Sequence, residues 1–246
     1  MRQSLKGRNY GMNPDFRNRG EEQTRIETFS DAVFALAVTL LVLSNTVPET
    51  FDELIKSFSN IIPFGICITL LMIIWYQHYI FFIRYGFKDI NIVAINAVLL
   101  FLLLIYVYPL KFLFTILYDL NVAWITQDRA LFDHLFSVVI PRENASMLMV
   151  IYGLGAASVF LIITFMYILA YKRRKEIEVN EVEVFHTKTS IYDNLISASI
   201  PLVSIVIAAF GGFFWSGMAY WLFGIAMPLF HTISVRKKKK LFPSTT

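Results

Sequence analysis

What most constrains this chain is a series of long, unbroken apolar runs spread along its whole length. A helix crosses a bilayer with roughly 20 apolar residues, and a soluble core does not call for such runs again and again. Of the 246 residues, 57% are hydrophobic and only 16% are charged, whereas a soluble domain carries about 25% charged residues. Strands of a membrane barrel would alternate over about ten residues, and these runs do not alternate. The chain is read as an all-α integral membrane protein.

Six transmembrane helices are expected, at about 25–45, 61–83, 89–117, 146–171, 190–210 and 213–235. Between the first two, Phe51, Leu54, Ile55 and Phe58 fall at i, i+3, i+4 and i+7. That spacing predicts a short amphipathic helix over 48–58. Residues 118–145 are read as an ordered excursion outside the membrane, and the stretch up to Thr189 as an acidic connection. Gly211-Gly212 is read as a tight turn. Residues 1–24 form a polar cytoplasmic tail, expected to be mobile and lacking the apolar segment of a cleavable leader. The six-helix domain covers 25–235, and 236–246 is a basic cytoplasmic C-terminal tail. With six spans, one set of connections holds 18 of the Lys and Arg residues and the other holds 4. The positive-inside rule then puts both termini in the cytoplasm.

The same asymmetry explains the net charge of +4 without invoking nucleic acid. The lysine run 237–240 reads as a stop signal in contact with anionic lipid. The one cysteine, Cys67, lies in an apolar run, so no intrachain disulfide is expected, and it reads as a packed thiol. The sequence has no glycine-rich phosphate loop, no His/Cys cluster with metal spacing, no Gly-x-Ser-x-Gly, no TVGYG filter and no arginine ladder. Neither an enzyme nor a cofactor is expected. No internal repeat is visible, which counts against an inverted-repeat transporter.

The first span concentrates the polar anomalies. Its apolar run, Ala32 to Leu43, has twelve residues, too few to cross alone. The helix must extend back through Asp31, Ser30 and Phe29 to Arg25, which brings charges to the membrane boundary. Such charges point into protein rather than lipid. At 100° per residue, Leu36, Thr39 and Leu43 cluster within about 60°, Leu40 lies at the edge of that stripe, and Asp31 points about 140° away from Leu36. One face would offer rings of Leu and Thr if copies assembled about an axis. The other offers a carboxylate to its own bundle. On the second span Trp75 and His78 share a face at i, i+3, and on the third Asn91 and Asn96 stand out. Arg25, Ser30, Asp31, Trp75, His78 and Asn96 could meet near the cytoplasmic end. Such a cluster could be a structural clasp between helices or could touch permeating ions or protons, with Asp31 and His78 as a relay. The Leu/Thr stripe by itself fits ordinary helix packing as well as a pore.

Arg25-x-x-x-Phe29-Ser30-Asp31 on the first span, with Trp75-x-x-His78 on the second, resembles the transmembrane protein 175 family of potassium channels. The resemblance covers about residues 20–235, with its specific motifs in the first three spans. It implies a homotetramer whose central pore is lined by four copies of the first helix, with no carbonyl filter. By resemblance, Leu36 would form the hydrophobic constriction and gate, where many relatives carry Ile. Thr39 would supply a hydroxyl ring that contacts dehydrating potassium, so K+ is expected at or near Thr39. Leu40 and Leu43 would be further pore rings. Arg25, Phe29, Ser30, Asp31, Trp75 and His78 would form a supporting network, to which the helix geometry adds Asn96. The function implied is a potassium-selective, non-voltage-gated channel whose partners are copies of itself, membrane lipid and potassium ions. The alternatives are a proton-coupled secondary transporter using Asp31 and His78, and a non-conducting membrane scaffold. The single six-helix unit points to a prokaryotic plasma membrane.

Overall fold

The computed structural model describes residues 16–20, 22–43, 48–59 and 61–243. Among them the chain is helical almost throughout. The elements are α1 (Arg25–Leu43), α2 (Phe51–Ser59), α3 (Ile61–Tyr85), α4 (Ile90–Thr126) and α5 (Arg129–His134), then a five-residue π-helical stretch, Leu135–Val139. After these come α6 (Arg142–Lys172), α7 (Glu181–Ala209), α8 (Phe213–Met218) and α9 (Leu222–Leu241). Among the described residues, five helical stretches are long and apolar enough to cross a membrane: α3, α4, α6, α7 and the run 213–241. The α1 helix adds 19 apolar-rich residues that begin with Arg25, Glu27 and Asp31 in the first two turns. The protein is a multi-pass membrane protein.

Two apolar clusters hold the bundle. One joins Phe81, Phe82 and Tyr85 of α3 to Ile92 and Leu99 of α4 and to Ile163, Met166 and Tyr167 of α6. The other packs Val33, Phe34, Ala37 and Leu41 of α1 against Cys67 and Leu71 of α3 and Leu100, Leu103 and Val107 of α4. The Cys67 side chain is buried and its thiol is free, as expected of a packed thiol. The α6–α7 pair is the most extensive helix–helix contact. Glycines at 153 and 155 permit close approach there and to α4: a methyl at Gly155 would sit 1.9 Å from a ring carbon of Tyr106.

Several boundaries differ from the expected ones. The α4 helix runs on to Thr126, where Gln127 closes it in the left-handed conformation. The polar residues from Asp119 on point to an excursion outside the membrane, but Ile116 and Ala123 are buried and hold the helix in place. The acidic connection is shorter than expected. Asn180 and Glu183 form a reciprocal capping box, which starts α7 at Glu181, nine residues before Ser190. The lysine run is helical within α9, which continues to Leu241. The amphipathic helix forms as α2, with Phe51, Leu54, Ile55 and Phe58 exposed. Gly211 takes a positive φ of 80° at the α7–α8 turn, which glycine adopts without strain. The expected mobile tail is docked at its far end: Phe16 is buried, and Arg17 and Arg19 pair with Glu183.

Candidate functional site

The α1 helix divides into two faces because its apolar and polar residues are in different phase. Val33, Phe34, Ala37 and Leu41 fill the bundle side, with Ala37 and Leu41 at 0% and 1% exposure. About 120° around the helix, Leu36 and Leu40 remain 49% and 41% exposed, with Thr39 exposed between them. Thr39 Oγ1 donates its proton to the Ala35 carbonyl at 3.0 Å, which leaves the oxygen's lone pairs unspent. Leu43 ends the helix, and its side chain lies outside the described residues.

The N-terminal half of α1 is tied to α3 and α4 by two sets of hydrogen bonds. In the first, Trp75 Nε1 donates to Asp31 Oδ1 at 2.8 Å, and Gln23 Nε2 donates to Asp31 Oδ2 at 3.1 Å. Asp31 has no ion pair among the described residues; its carboxylate is met by neutral donors. In the second, Asn96 Nδ2 donates to Ser30 Oγ at 2.8 Å, and His78 Nε2 lies 2.8 Å from Asn96 Oδ1. Because the Asn96 oxygen is an acceptor, the His78 proton is assigned to Nε2. Ser30 in turn donates to the Ile26 carbonyl at 2.8 Å. Ser30, His78 and Asn96 are all buried, at 0%, 2% and 2% exposure. Phe34 and Phe82 flank the His78 ring at 5.7 and 4.7 Å. The three polar groups thus stand in an apolar surround where each has a partner, as burial requires.

Five of the expected network residues therefore come together: Ser30, Asp31, Trp75, His78 and Asn96. Arg25 and Phe29 do not join them. Both are exposed, Phe29 at 64%, and helical phase puts both on the stripe side with Leu36. Asn91 is exposed as well. Asp31 and His78 share the wall of a cavity of about 140 Å³ with Glu27 and Tyr79, but no hydrogen bond joins them. Two residues were not foreseen. Gln23 completes the shell of Asp31, and nothing in its local sequence marks it. Lys111, 8% exposed, donates to the Leu41 carbonyl at 3.0 Å. That carbonyl belongs to the last turn of α1, where carbonyls lack partners within the helix. A lysine inside the run YPLKFLF was the available signal.

The fold and this arrangement define a helical membrane protein whose first helix is clasped on one face by buried polar groups and uncovered on the other. A family model described as "Endosomal/lysosomal potassium channel TMEM175" matches residues 25–109. A protein of Marivirga tractuosa named as a potassium channel is 46% identical over 240 residues, spanning 94% of this chain and 95% of that one. The crystal structure of the potassium channel MtTMEM175, as a threonine-to-alanine variant in complex with a nanobody fusion, superposes with a TM-score of 0.80 at 45% identity. The match covers 92% of this chain and 99% of that one. The chain belongs to the TMEM175 family.

Proposed function

We propose that this protein is a potassium channel of the cell membrane. Four copies assemble about an axis with α1 lining the pore, each subunit crossing six times with both termini in the cytoplasm. The observation that carries this reading is the uncovered stripe of α1. Leu36, Thr39 and Leu40 are exposed on a helix whose opposite face is packed against α3 and α4. The relatives named as potassium channels, matched over nearly the whole chain, support the choice of ion.

In this reading a ring of four Leu36 side chains closes the pore by size and by dewetting, and opening widens it enough for water and ion to pass. Thr39, one turn further on, presents its free lone pairs to an ion that has shed part of its hydration shell. Leu40 and Leu43 line the path beyond. The clasp of Ser30, Asp31, Trp75, His78 and Asn96 fixes the phase of α1, so that Leu36 and Thr39 face the axis. Lys111 holds the last turn of α1 in the same way. No cofactor takes part.

Potassium and sodium flux from liposomes holding the purified protein tests the proposal. Potassium should pass in preference to sodium, and equal permeability sinks the selective reading. Leu36→Ala should raise conductance; an unchanged conductance removes Leu36 as the constriction. Thr39→Ala should lower the potassium preference while conduction persists. Saturable exchange driven by a pH gradient would indicate the carrier instead, and no flux at all a scaffold.

A further inference from the structure

We infer that the segment 16–20 is a tether that sets the inner end of α1, and that Glu183 of α7 is the positioning residue that holds it. The inference rests on α1 being the pore-lining helix. The Glu183 side chain is 0% exposed and meets two guanidinium groups, Arg17 Nη2 at 3.0 Å and Arg19 Nη2 at 2.8 Å. Its oxygens also accept from Arg17 Nε at 3.1 Å and from the backbone N–H groups of Arg17 and Asn180 at 2.8 and 3.0 Å. One buried carboxylate thus organises the segment and the start of α7 together. Arg19 Nε reaches on to the Ile177 carbonyl at 2.9 Å.

The segment is fastened equally to the end of α3. Arg19 and Gly20 both donate backbone N–H to the Ile83 carbonyl at 2.9 Å, a group that α3 leaves open in its last turn. Phe16 packs edge-on against Tyr85 at 5.6 Å, with the Arg84 guanidinium 4.9 Å over its ring. Two glycines make room. A Cβ on Gly20 would lie 2.5 Å from the Phe82 carbonyl oxygen, and one on Gly86 would lie 2.9 Å from the Arg19 carbonyl oxygen. Gly86 also takes a φ of +62°, which a side chain would strain.

A buried, doubly paired carboxylate is weak evidence for added stability, because desolvation offsets much of the attraction; fixing one arrangement against others is its better-attested use. Here that arrangement is the starting point of α1. The segment leads directly into Gln23, which bonds Asp31, and into Arg25, where α1 begins. Packing places α1 on α3 and α4, while α7 packs on α6, α8 and α9. The tether joins the two groups at the cytoplasmic end, so a shift of α7 reaches the pore helix along the chain itself.

The test uses the full chain reconstituted in lipid bilayers. Glu183→Gln, and separately Arg17→Gln with Arg19→Gln, should move open probability in the same direction by about tenfold, the effect of about 1.4 kcal/mol of bias between two states. Unitary conductance and ion preference should stay as in the parent. Glu183→Arg combined with Arg17→Glu and Arg19→Glu should restore open probability. If Glu183→Gln does not assemble, the Arg17/Arg19 pair removes the guanidinium contacts to Glu183 while leaving the α7 capping box intact. An unchanged open probability in an assembled variant overturns the tether. So do shifts in opposite directions, or a change in unitary conductance alone. Tryptic cleavage at Arg17 and Arg19 reads the tether without conduction: slow in the parent, fast in Glu183→Gln, with equal rates overturning it. A parent protein that passes no potassium removes the channel reading beneath, while the cleavage rates still judge the tether.

Discussion

Replacing Asn96 by leucine keeps the branching at Cγ, adds some bulk, and removes two hydrogen bonds from a site that is 2% exposed. The losses are unequal. Ser30 loses a bond it accepts but still donates to the Ile26 carbonyl at 2.8 Å, so it keeps a partner. The His78 Nε2–H, whose partner is the Asn96 oxygen, is left between Phe34 and Phe82 with no acceptor in its place. An orphaned buried donor costs about 1–3 kcal/mol, and the lost bond to Ser30 adds about 1 kcal/mol. Asn96→Leu is therefore expected to destabilise by about 2–4 kcal/mol. His78→Phe alone orphans only the Asn96 oxygen, and should cost about 1–2 kcal/mol. The double variant leaves neither orphan and should cost less than Asn96→Leu alone, a coupling of about 1–3 kcal/mol. Reversible unfolding in mixed detergent, followed by circular dichroism, measures all three. If the two single costs add to within about 0.5 kcal/mol, His78 and Asn96 do not act as one network, and the assignment of the His78 proton to Nε2 falls with it.

Three further outcomes are expected. Asp31→Ala removes the acceptor of Trp75 Nε1 and should lower the yield of assembled protein in size-exclusion chromatography, whereas Asp31→Asn, which can still accept that bond, should assemble; assembled Asp31→Ala with altered ion preference would place Asp31 on the ion path. Gly155→Ala forces a methyl to within 1.9 Å of the Tyr106 ring and should destabilise by about 1–3 kcal/mol in the same unfolding assay, with the cost relieved by Tyr106→Leu. The third outcome concerns pH. Burial works to raise the Asp89 carboxyl, but the Arg173 guanidinium bonded to it outweighs that and holds it below the ordinary carboxylate range. A lowered folded-state value gives stability that is present above the ordinary range and lost as pH falls through the lowered value. The parent should therefore lose more thermal stability than Asp89→Asn as pH drops from about 5 to below 4, and parallel curves would refute the pairing.

The clasp was legible because its members are conspicuous where they stand. Ser30, Asp31, His78 and Asn96 are polar residues in apolar helices, and such groups must find one another. Helical phase then sorted α1 into its two faces, and the burial of Ala37 and Leu41 against the exposure of Leu36 follows that phase. Polarity placed Arg25 in the clasp and the resemblance added Phe29, but the phase that puts Leu36 on the open face puts those two beside it. The end of α4 reads as an excursion outside the membrane because polarity there is local, while the burial of Ile116 depends on Ile140 and Ala145, beyond α5. The start of α7 had a readable sign in Asn180-x-x-Glu183, an N-cap with its reciprocal acid three residues on. The docked segment had none: Arg17 and Arg19 look like ordinary tail basics until Glu183, distant in the chain, is brought beside them.

These contacts give α1 a division of labour along its length. At its N-terminal end its chain is held by a carboxylate from α7, by the end of α3 and by the Ser30–Asn96–His78 bonds. At the other end Lys111 holds the Leu41 carbonyl. Between these two anchors, from Ala32 to Leu40, the only side-chain hydrogen bond among the described residues is that of Thr39 to its own helix. The rest of that stretch is held by apolar packing. Apolar packing is non-directional, so a small rotation or translation of α1 between its anchors breaks no hydrogen bond there. The expected gate at Leu36 lies in this stretch. A helix fixed by polar contacts at both ends and by shape alone in the middle can change the radius of its open face with little loss of contact, as a hydrophobic gate requires.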